Sequence, residues 1–385
     1  MHEVEEQQKH ISLFGATGTI GDNTLDVIRK NSSKFLLKVV TAGFNAKKLI
    51  EICKEFKPKY AAILDDSQVD FIKSELSDLN IKIMSGESGF LEAASIKANV
   101  AVVGISGIAG LKPTMKLIES VDILAIANKE AIVCGGSFLT EKIKLLNKKL
   151  VPVDSEHSAL FQTILESEVS DISSIMLTAS GGPFLKQTLQ ELSNVTPSQA
   201  LKHPKWKMGA KNSIDSATMV NKGLEMIEAY YLFPVEIDQI KVVIHPESIV
   251  HCFVNYIDGN TKALLSDNDM KKSIAYAMNY PKRLTSDEFR ISDYKSLTFQ
   301  EVDKGRFSVI NVVYDVLNKG GSAPIVFNAV NEELVNYFLS GKISFLDIVD
   351  ILTKAVLVTN TCKVESIDHV YDIDKEARYL VKTLI

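Results

Sequence analysis

Cysteine is scarce in this 385-residue sequence, and the four that occur lie far apart: Cys53, Cys134, Cys252 and Cys362. No C-x-x-C pair is present, which argues against a disulfide framework and against a structural zinc site. We therefore expect four reduced thiols, most of them buried.

Long hydrophobic runs and an excess of basic charge are also missing. No apolar run is long enough to span a bilayer, and residues 1–10 are polar, without the apolar core of a signal peptide. The formal net charge of −5 argues against nucleic acid or an anionic membrane as partner, because both require a basic face. We expect a cytoplasmic protein, and the chain is long enough for two or three domains.

Short apolar runs alternate with amphipathic stretches from Ile11 to about Pro152. This alternation predicts βαβ units and a parallel sheet with helices on both faces. After Val153 the pattern becomes that of an α+β region, and helical patterns dominate from Val309 onward. The expected fold class is α/β, with an N-terminal Rossmann-like parallel-sheet domain, a central α+β domain and a C-terminal helical domain.

A glycine-rich segment, Gly15–Gly21, follows the first predicted strand and opens a predicted helix. Its G-x-x-G-x-x-G spacing is typical either of a glycine-rich turn without a ligand or of a pyrophosphate loop. The position at the first βα junction favours a dinucleotide. The second strand is followed by no Asp or Glu to hold a ribose 2′-hydroxyl, and Lys47 and Lys48 come just beyond it. This predicts NADP(H), although the two lysines are as typical of a solvated helix face.

Acidic side chains occur in two polar segments beyond the alternating region. Asp154 and Glu156 follow a predicted strand, and two residues apart in extended chain they would share a face. Glu225 lies on a predicted helix over Ala217–Leu232, where Asn221 and Lys222 would face the same way. Oxygen ligands without Cys or clustered His favour Mg²⁺ or Mn²⁺ over Zn²⁺. Taken singly, each acid favours a solvated residue or a helix cap, and Asp215 is a plausible cap. The combination with Lys222 and the serines favours a site.

Polar groups suited to an anionic phosphate lie among these acids: Ser155, Ser216, Asn221 and Lys222. Asn128-Lys129-Glu130 follows the strand predicted at Ile123–Ala127, at the sheet edge where ligands bind in open α/β folds.

Residues 196–211 are predicted to form a long mobile loop. Within it, Trp206 is either a core anchor or part of a lid that excludes water from a substrate. His203 is either a phosphate donor or a surface imidazole. His245 and His251 flank predicted strands, and we expect structural roles for both.

At these residues the chain resembles the 1-deoxy-D-xylulose 5-phosphate reductoisomerase family, essentially from end to end. The matching segments are Gly15–Gly21 (GATGTIG), Ala127–Ala131 (ANKEA), Val153–Ala159 (VDSEHSA), Ser180–Phe184 (SGGPF), His203–Met208 (HPKWKM), Asn212–Glu228 (NSIDSATMVNKGLEMIE), His245–His251 (HPESIVH) and Pro324–Leu339 (PIVFNAVNEELVNYFL). The resemblance implies rearrangement of a phosphorylated sugar, 1-deoxy-D-xylulose 5-phosphate, to a branched aldehyde phosphate. NADPH then reduces this to 2-C-methyl-D-erythritol 4-phosphate, on the non-mevalonate isoprenoid route. It also implies Mg²⁺, Mn²⁺ or Co²⁺ as metal and a homodimer.

The resemblance assigns roles residue by residue. The implied metal ligands are Asp154, Glu156 and Glu225, which with Lys129 form the expected catalytic set. The implied substrate contacts are Ser155, Glu156, Ser180, His203, Trp206, Ser216, Asn221, Lys222 and Glu225. The implied cofactor contacts are Thr17, Gly18, Thr19, Ile20, Gly43, Asn45, Asn128, Glu130 and Gly209.

The expected domains are an NADPH-binding domain at 1–152, a catalytic, metal-binding and dimerisation domain at 153–285, a linker at 286–308 and a helical domain at 309–385. Two departures from the family stand out. Phe44 occupies a position where the family usually carries a basic residue, so Lys47 or Lys48 is expected to substitute. Residues 266–271 (SDNDMK) match the family only loosely, and we expect altered loop or interface detail there.

Two alternatives remain open from the residues alone. One is another NADP-dependent reductase of the aspartate-semialdehyde or homoserine type. The semialdehyde enzyme needs a nucleophilic cysteine, and nothing marks Cys134 or Cys252 as activated. The other is a non-catalytic NADP sensor, which would tolerate loss of Lys222 and Glu225.

Overall fold

The computed structural model describes residues 8–202 and 209–385. They divide into two compact units. The first contains residues 8–131, Leu139–Ser158 and Asp269–Ser286. The second contains Ile132–Phe138, residues 159–202 and 209–268, and Asp287–Ile385. The predicted division at residues 152, 285 and 308 stays a prediction.

The strands are β1 (Lys9–Phe14), β2 (Phe35–Ala42), β3 (Tyr60–Ile63), β4 (Lys82–Ser85), β5 (Ala98–Val103), β6 (Val121–Ile126), β7 (Lys149–Pro152), β8 (Ile172–Ala179), β9 (Ile240–Ile244), β10 (Val250–Tyr256), β11 (Thr261–Leu265) and β12 (Gln300–Glu301).

The α-helices are α1 (Thr19–Lys30), α2 (Ala46–Phe56), α3 (Val69–Glu75), α4 (Gly86–Ala94), α5 (Leu111–Ser120), α6 (Lys129–Leu145), α7 (Ser155–Ile164), α8 (Leu189–Leu192), α9 (Pro197–Ala200), α10 (Ala210–Thr218), α11 (Val220–Leu232), α12 (Met270–Asn279), α13 (Val309–Lys319), α14 (Ala323–Leu339), α15 (Phe345–Val358) and α16 (Ile367–Leu384). None of the helices in the described residues combines the length and apolar character that crossing a membrane requires.

The first unit is built on a seven-stranded sheet with the order β4-β3-β2-β1-β5-β6-β7, in which all pairs are parallel. Its central strand β1 is apolar and buried on both faces, as Ile11, Leu13 and Phe14 show, which is typical of a parallel sheet covered by helices. The strand order reverses between β1 and β5. Ligands of open α/β sheets bind at such a point, beyond the carboxyl ends of the strands.

Helix α12 belongs to this first unit although it lies more than a hundred residues further along the chain. Lys271 on α12 forms an ion pair of 2.8 Å with Asp26 on α1. After the helix, Tyr280 O accepts a hydrogen bond of 3.2 Å from Lys9 Nζ at the start of β1. The loosely matching segment 266–271 therefore leads into a helix that packs on α1.

The second unit contains a mixed sheet with the order β11-β10-β8-β9-β12. Strands β8 and β9 are parallel, and the other pairs are antiparallel. Asp258 and Gly259 lie in the hairpin turn between β10 and β11, and Gly259 has a φ of 84°. The short strand β12 lies inside the predicted linker, where it pairs with β9.

Two local predictions in this unit are wrong. The predicted loop 196–211 contains helix α9, which begins at Pro197 behind a Thr196 capping box. The helix predicted over Ala217–Leu232 is two helices, because Met219 adopts a left-handed conformation with a φ of 65° and separates α10 from α11.

The C-terminal helices pack on one another, α14 against α15 and α16. Ser344 is the N-cap of α15, and its hydroxyl accepts a hydrogen bond from Asp347 N. The fold class expected from the sequence is confirmed by both sheets and by this helical region.

Candidate active site

The glycine-rich loop connects β1 to α1 through close backbone contacts. Gly15 has a φ of 87°, and a Cβ there would lie 2.7 Å from Gly104 O in the loop after β5. A Cβ at Gly21 would collide with the Ala16 carbonyl. Both positions therefore require glycine. Gly15 needs it for its positive φ, and both Gly15 and Gly21 need it because backbone atoms approach them closely. Gly18 differs, because a Cβ there meets only Gly15 O, at 3.7 Å.

The first turn of α1 is open to an anion. Gly18 is the N-cap of this helix and provides no side-chain hydrogen bond to it. Gly18 and Thr19 are exposed, while Thr17 and Ile20 are half-buried. The first backbone N–H groups of a helix lack internal partners, and they attract negative charge. The arrangement suits the pyrophosphate of a dinucleotide.

The carboxyl end of β2 lies beside this loop. Ala16 N donates to Thr41 O at 2.8 Å. Beyond β2, Asn45 caps α2 by accepting a hydrogen bond from Lys48 N at 3.1 Å. A Cβ at Gly43 would have no neighbour within 4 Å, so open space adjoins the strand end. The structure thus brings together the predicted cofactor contacts that follow β1 and β2.

Asn128 connects two loops at the same edge of the sheet. Its side chain is buried and caps α6, accepting a hydrogen bond of 2.6 Å from Ala131 N. Its amide nitrogen donates to Ile105 O and, at 2.9 Å, to Gly107 O. These bonds hold the loop after β5 against the loop after β6. Glu130, in the first turn of α6, is buried as well.

A buried ionic cluster forms where β7 ends and α7 begins. Lys129 Nζ lies 2.8 Å from Asp154 Oδ2, and the two side chains are 9% and 12% exposed. His157 Nδ1 lies 3.2 Å from Asp154 Oδ1. Burial raises the pKa of the Asp154 carboxyl, but the Lys129 ammonium and the His157 hydrogen bond outweigh it and hold that pKa well below its usual value. Asp154 is therefore a carboxylate at neutral pH.

The strand face predicted to be shared by Asp154 and Glu156 is wrong. Asp154 and Glu156 do not lie in extended chain, because α7 already begins at Ser155. Glu156 accepts a hydrogen bond from the Ser155 hydroxyl. The assignment of Asp154 and Glu156 as metal ligands stays a prediction, without the shared strand face. His157 was not predicted, although its spacing three residues after Asp154 at a helix start was a usable signal.

In the second unit, Glu225 lies in a buried polar cluster on α11. It accepts hydrogen bonds from Asn221 and Lys222, one turn earlier on the same helix. Lys222 and Glu225 are only 4% and 2% exposed. The predicted common face of these three side chains is confirmed. A buried carboxylate beside a buried ammonium is typical of a site that binds ions or charged groups.

The loop after β8 brings two predicted substrate contacts near each other. Gly182 has a φ of 69°, and a Cβ there would lie 2.8 Å from Ser216 O. Gly182 N donates to the Ser180 hydroxyl at 3.2 Å. Arg306 holds the far end of this loop, donating to Phe184 O and, at 2.7 Å, to Leu185 O. No sequence motif indicated the role of Arg306.

Asp215 is not a helix cap, contrary to one interpretation of the sequence. It lies within α10 and is fully buried. Its carboxylate accepts hydrogen bonds of 2.7 Å from Lys211 and 2.8 Å from Asn331 on α14. This network fixes the helix that carries Ser216.

Other predicted site residues lie at or beyond the edge of the described chain. His203 and Trp206 lie outside the described residues. Gly209 is the exposed N-cap of α10. The structural role expected for His245 agrees with the geometry, because its Nε2 accepts from Ile249 N at 3.0 Å and its Nδ1 lies 2.8 Å from Thr298 O. His251 Nε2 similarly lies 2.9 Å from the Ser266 hydroxyl.

The thiols agree with the sequence prediction. Cys53, Cys134 and Cys252 are buried, Cys362 is exposed, and none of the four forms a disulfide within the described residues. Burial raises the pKa of Cys53 to about 12. A thiol with such a pKa carries almost no thiolate at neutral pH and is not a nucleophile.

Comparison with known proteins gives a consistent result over the chain. Three family models match: 1-deoxy-D-xylulose 5-phosphate reductoisomerase over residues 11–136, the 1-deoxy-D-xylulose 5-phosphate reductoisomerase C-terminal domain over 150–233, and the DXP reductoisomerase C-terminal domain over 265–380. A 1-deoxy-D-xylulose 5-phosphate reductoisomerase of Clostridium botulinum (strain Loch Maree / Type A3) is 43% identical over 380 residues, covering 97% of this chain and 99% of the relative. That of Clostridium novyi (strain NT) is 42% identical over 379 residues, covering 97% and 98%.

Solved structures agree. The 1-deoxy-D-xylulose 5-phosphate reductoisomerase from Zymomonas mobilis in complex with NADPH is 36% identical, with a TM-score of 0.93 and coverage of 98% of this chain and 99% of that one. A DOX-P reductoisomerase in complex with NADPH, fosmidomycin and magnesium is 34% identical, with a TM-score of 0.91 and coverage of 98% of both chains.

Proposed function

The chain belongs to the 1-deoxy-D-xylulose 5-phosphate reductoisomerase family, and from this premise we propose its reaction. It converts 1-deoxy-D-xylulose 5-phosphate to 2-C-methyl-D-erythritol 4-phosphate by rearrangement and NADPH-dependent reduction, with a divalent metal, in non-mevalonate isoprenoid biosynthesis. The observation that carries this function is the end-to-end similarity to relatives whose structures hold NADPH and magnesium.

The loops at the carboxyl ends of the strands in the first unit have a geometry that suits NADPH. The uncapped first turn of α1 and the open space at Gly18 favour a pyrophosphate. We propose that the cofactor is held by the residues that follow strands β1, β2 and β6, with Gly209 from α10: Thr17, Gly18, Thr19, Ile20, Gly43, Asn45, Asn128, Glu130 and Gly209. The Asn128 side chain is already engaged with backbone carbonyls, so its contribution is to fix the loops around the cofactor.

The donor set suits Mg²⁺, with Mn²⁺ and Co²⁺ as alternatives. We propose Asp154, Glu156 and Glu225 as its ligands, because carboxylate oxygens are preferred by hard cations. The depressed pKa of Asp154 keeps this carboxylate ionised and able to bind a cation without first losing a proton. When bound, the ion supplies Lewis-acid polarisation of neighbouring substrate oxygens, and NADPH supplies a hydride.

The side chains of this protein have their own tasks in the proposal. Lys129 places a buried ammonium beside Asp154, where it donates to substrate oxygen near the reacting carbons, together with Ser155 and Glu156. The phosphate is held by Ser180, Ser216, Asn221, Lys222 and His203. For Trp206, which lies outside the described residues, we propose a substrate contact that keeps water from the aldehyde.

We further propose a homodimer located in the cytoplasm. Supporting the dimer, Phe253 on β10 contacts Phe299, with ring centroids 5.3 Å apart, and the Phe299 side chain is 44% exposed. Apolar surface of this kind on a sheet suits burial against a second copy. Sedimentation velocity on the purified protein measures this: a single monomeric species across the micromolar range would exclude the dimer.

The reaction is tested by mixing the purified protein with NADPH, Mg²⁺ and 1-deoxy-D-xylulose 5-phosphate and following NADPH absorbance. We expect oxidation that stops when EDTA is added and resumes with excess Mg²⁺. Aspartate semialdehyde and homoserine-pathway substrates serve as controls for the alternative reductases. Oxidation of NADPH with those substrates, and none with the sugar phosphate, would show that the proposed reaction is wrong.

A further inference from the structure

The residues after β2 decide how this chain distinguishes NADPH from NADH. In Rossmann-type sites, an acid at the end of the second strand binds the ribose 2′-hydroxyl, and a cation nearby accommodates a 2′-phosphate. Here the strand ends at Ala42 and is followed by Gly43, Phe44 and Asn45. None of these residues is an acid that could bind the 2′-hydroxyl, and none is a cation that could bind the 2′-phosphate. Lys47 and Lys48 are the nearest cations along the chain.

Lys48 is already committed to the glycine-rich loop. Its Nζ donates to Asp22 at 2.7 Å and to Thr17 O at 3.1 Å. The ion pair neutralises a carboxylate in the first turn of α1, which would otherwise repel a bound anion. Lys48 therefore prepares the loop for any dinucleotide, with or without a 2′-phosphate.

Lys47 is in a different position. It is exposed in the first turn of α2, and its side chain forms no ion pair or hydrogen bond within residues 8–202 and 209–385. The first turn of a helix also favours negative charge through its backbone N–H groups. Lys47 is thus an available ammonium beside the end of β2, free to bind a phosphate.

Phe44 is the second unusual residue. Its side chain is 77% exposed two residues after the end of the buried strand β2, and the adjacent Gly43 leaves open space. A ligand that covers this ring removes apolar surface from water, which is favourable. A base stacked on such a ring is bound by contact between its face and the ring, whichever base it is.

We propose that Lys47 is the residue that selects the 2′-phosphate of NADPH and that Phe44 provides the ring on which the adenine stacks. Lys47 thus takes the phosphate contact expected of a basic residue at position 44, and Phe44 itself contacts the adenine. The inference rests on the proposed NADPH dependence of the chain. It concerns recognition of the adenosine end of the cofactor and not hydride transfer.

The test measures binding without turnover. NADPH and NADH are titrated by fluorescence into wild type, Lys47→Ala, Lys48→Ala, Phe44→Ala and Lys54→Ala. Lys54 is the matched control, because it is a half-exposed lysine two turns further along α2 that pairs with Glu75 at 2.8 Å. Competition with 2′-phosphorylated and unphosphorylated adenosine diphosphate removes the nicotinamide from the comparison.

We expect Lys47→Ala to weaken NADPH about tenfold and to leave NADH unchanged, since a charge-assisted hydrogen bond to phosphate is lost. Lys48→Ala should weaken both cofactors by a similar factor, and Lys54→Ala neither. Phe44→Ala should weaken both about tenfold, and Phe44→Tyr should restore binding.

Three outcomes distinguish failure of this inference from failure of the proposed function. If wild type prefers NADPH and Lys47→Ala keeps the full preference, the assignment of Lys47 is wrong and the enzyme function stands. If Phe44→Ala leaves both affinities unchanged, the stacking role is wrong. If wild type binds NADH as tightly as NADPH, the NADPH dependence itself fails.

Discussion

Replacement of Glu225 by Gln separates the proposed metal site from the cofactor site. The carboxylate of Glu225 is 2% exposed and accepts hydrogen bonds from Asn221 and Lys222. Gln has the same shape but no charge, so the variant removes an anionic metal ligand with little change in packing. We expect turnover to fall to background, because Mg²⁺ loses one of its three proposed carboxylates.

The same substitution also has a cost in stability. Removing one partner of a buried ion pair costs about 3–5 kcal/mol, since the other charge stays buried. The amide oxygen of Gln still accepts one hydrogen bond, so we expect the lower end, about 3 kcal/mol. The effect appears as a lower thermal midpoint in the absence of metal, and addition of Mg²⁺ should stabilise wild type but not the variant.

Glu332→Gln provides a matched control within the same unit. Glu332 on α14 pairs with Arg378 and is 13% exposed, and no substrate or metal role is proposed for it. The Glu332→Gln variant should be less stable than wild type, but its turnover should be intact at temperatures below its thermal unfolding midpoint. Activity assays, Mg²⁺ titration and NADPH titration are compared for both variants. Full turnover in Glu225→Gln, or loss of NADPH binding to a folded Glu225→Gln protein, would refute the reasoning.

Two further predictions concern the glycine-rich loop and the thiols. Gly21→Ala should unfold the first unit or strongly lower its thermal unfolding midpoint, because the new Cβ collides with the Ala16 carbonyl. Gly18→Ala has room for its Cβ, so it should keep the wild-type midpoint and weaken only the binding of NADPH. Equal midpoints for the two variants in a thermal scan would contradict this. In a colourimetric thiol titration at neutral pH, Cys362 should react at once, and Cys53, whose pKa burial raises to about 12, only on unfolding; a second fast-reacting thiol would contradict the burial.

Local sequence patterns predicted most of the fold. The strands of the first sheet are continuous apolar runs, so β1, β2, β5 and β6 could be located without tertiary information. The contacts among Asn221, Lys222 and Glu225 followed from helical spacing alone. These features depend on residues close together in the chain, and their geometry is fixed by backbone periodicity.

The features that were missed depend on tertiary contacts. Met219 adopts a left-handed conformation that is rare for residues other than glycine, at the junction where α10 and α11 pack on one another. Asp215 is paired with Asn331, 116 positions away, so no local pattern distinguishes it from a helix cap. Lys129 could be named as the ionic partner of Asp154 only once α6 and α7 were placed at neighbouring strand ends.

The central claim is that NADPH reduces a rearranged sugar phosphate on this chain. The most direct measurement uses NADPH deuterated at the transferred position, with 1-deoxy-D-xylulose 5-phosphate and Mg²⁺, followed by mass spectrometry and NMR of the product. We predict 2-C-methyl-D-erythritol 4-phosphate carrying one deuterium, and no product when EDTA is present. A reduced but unrearranged sugar phosphate, or a product without deuterium, would contradict the account.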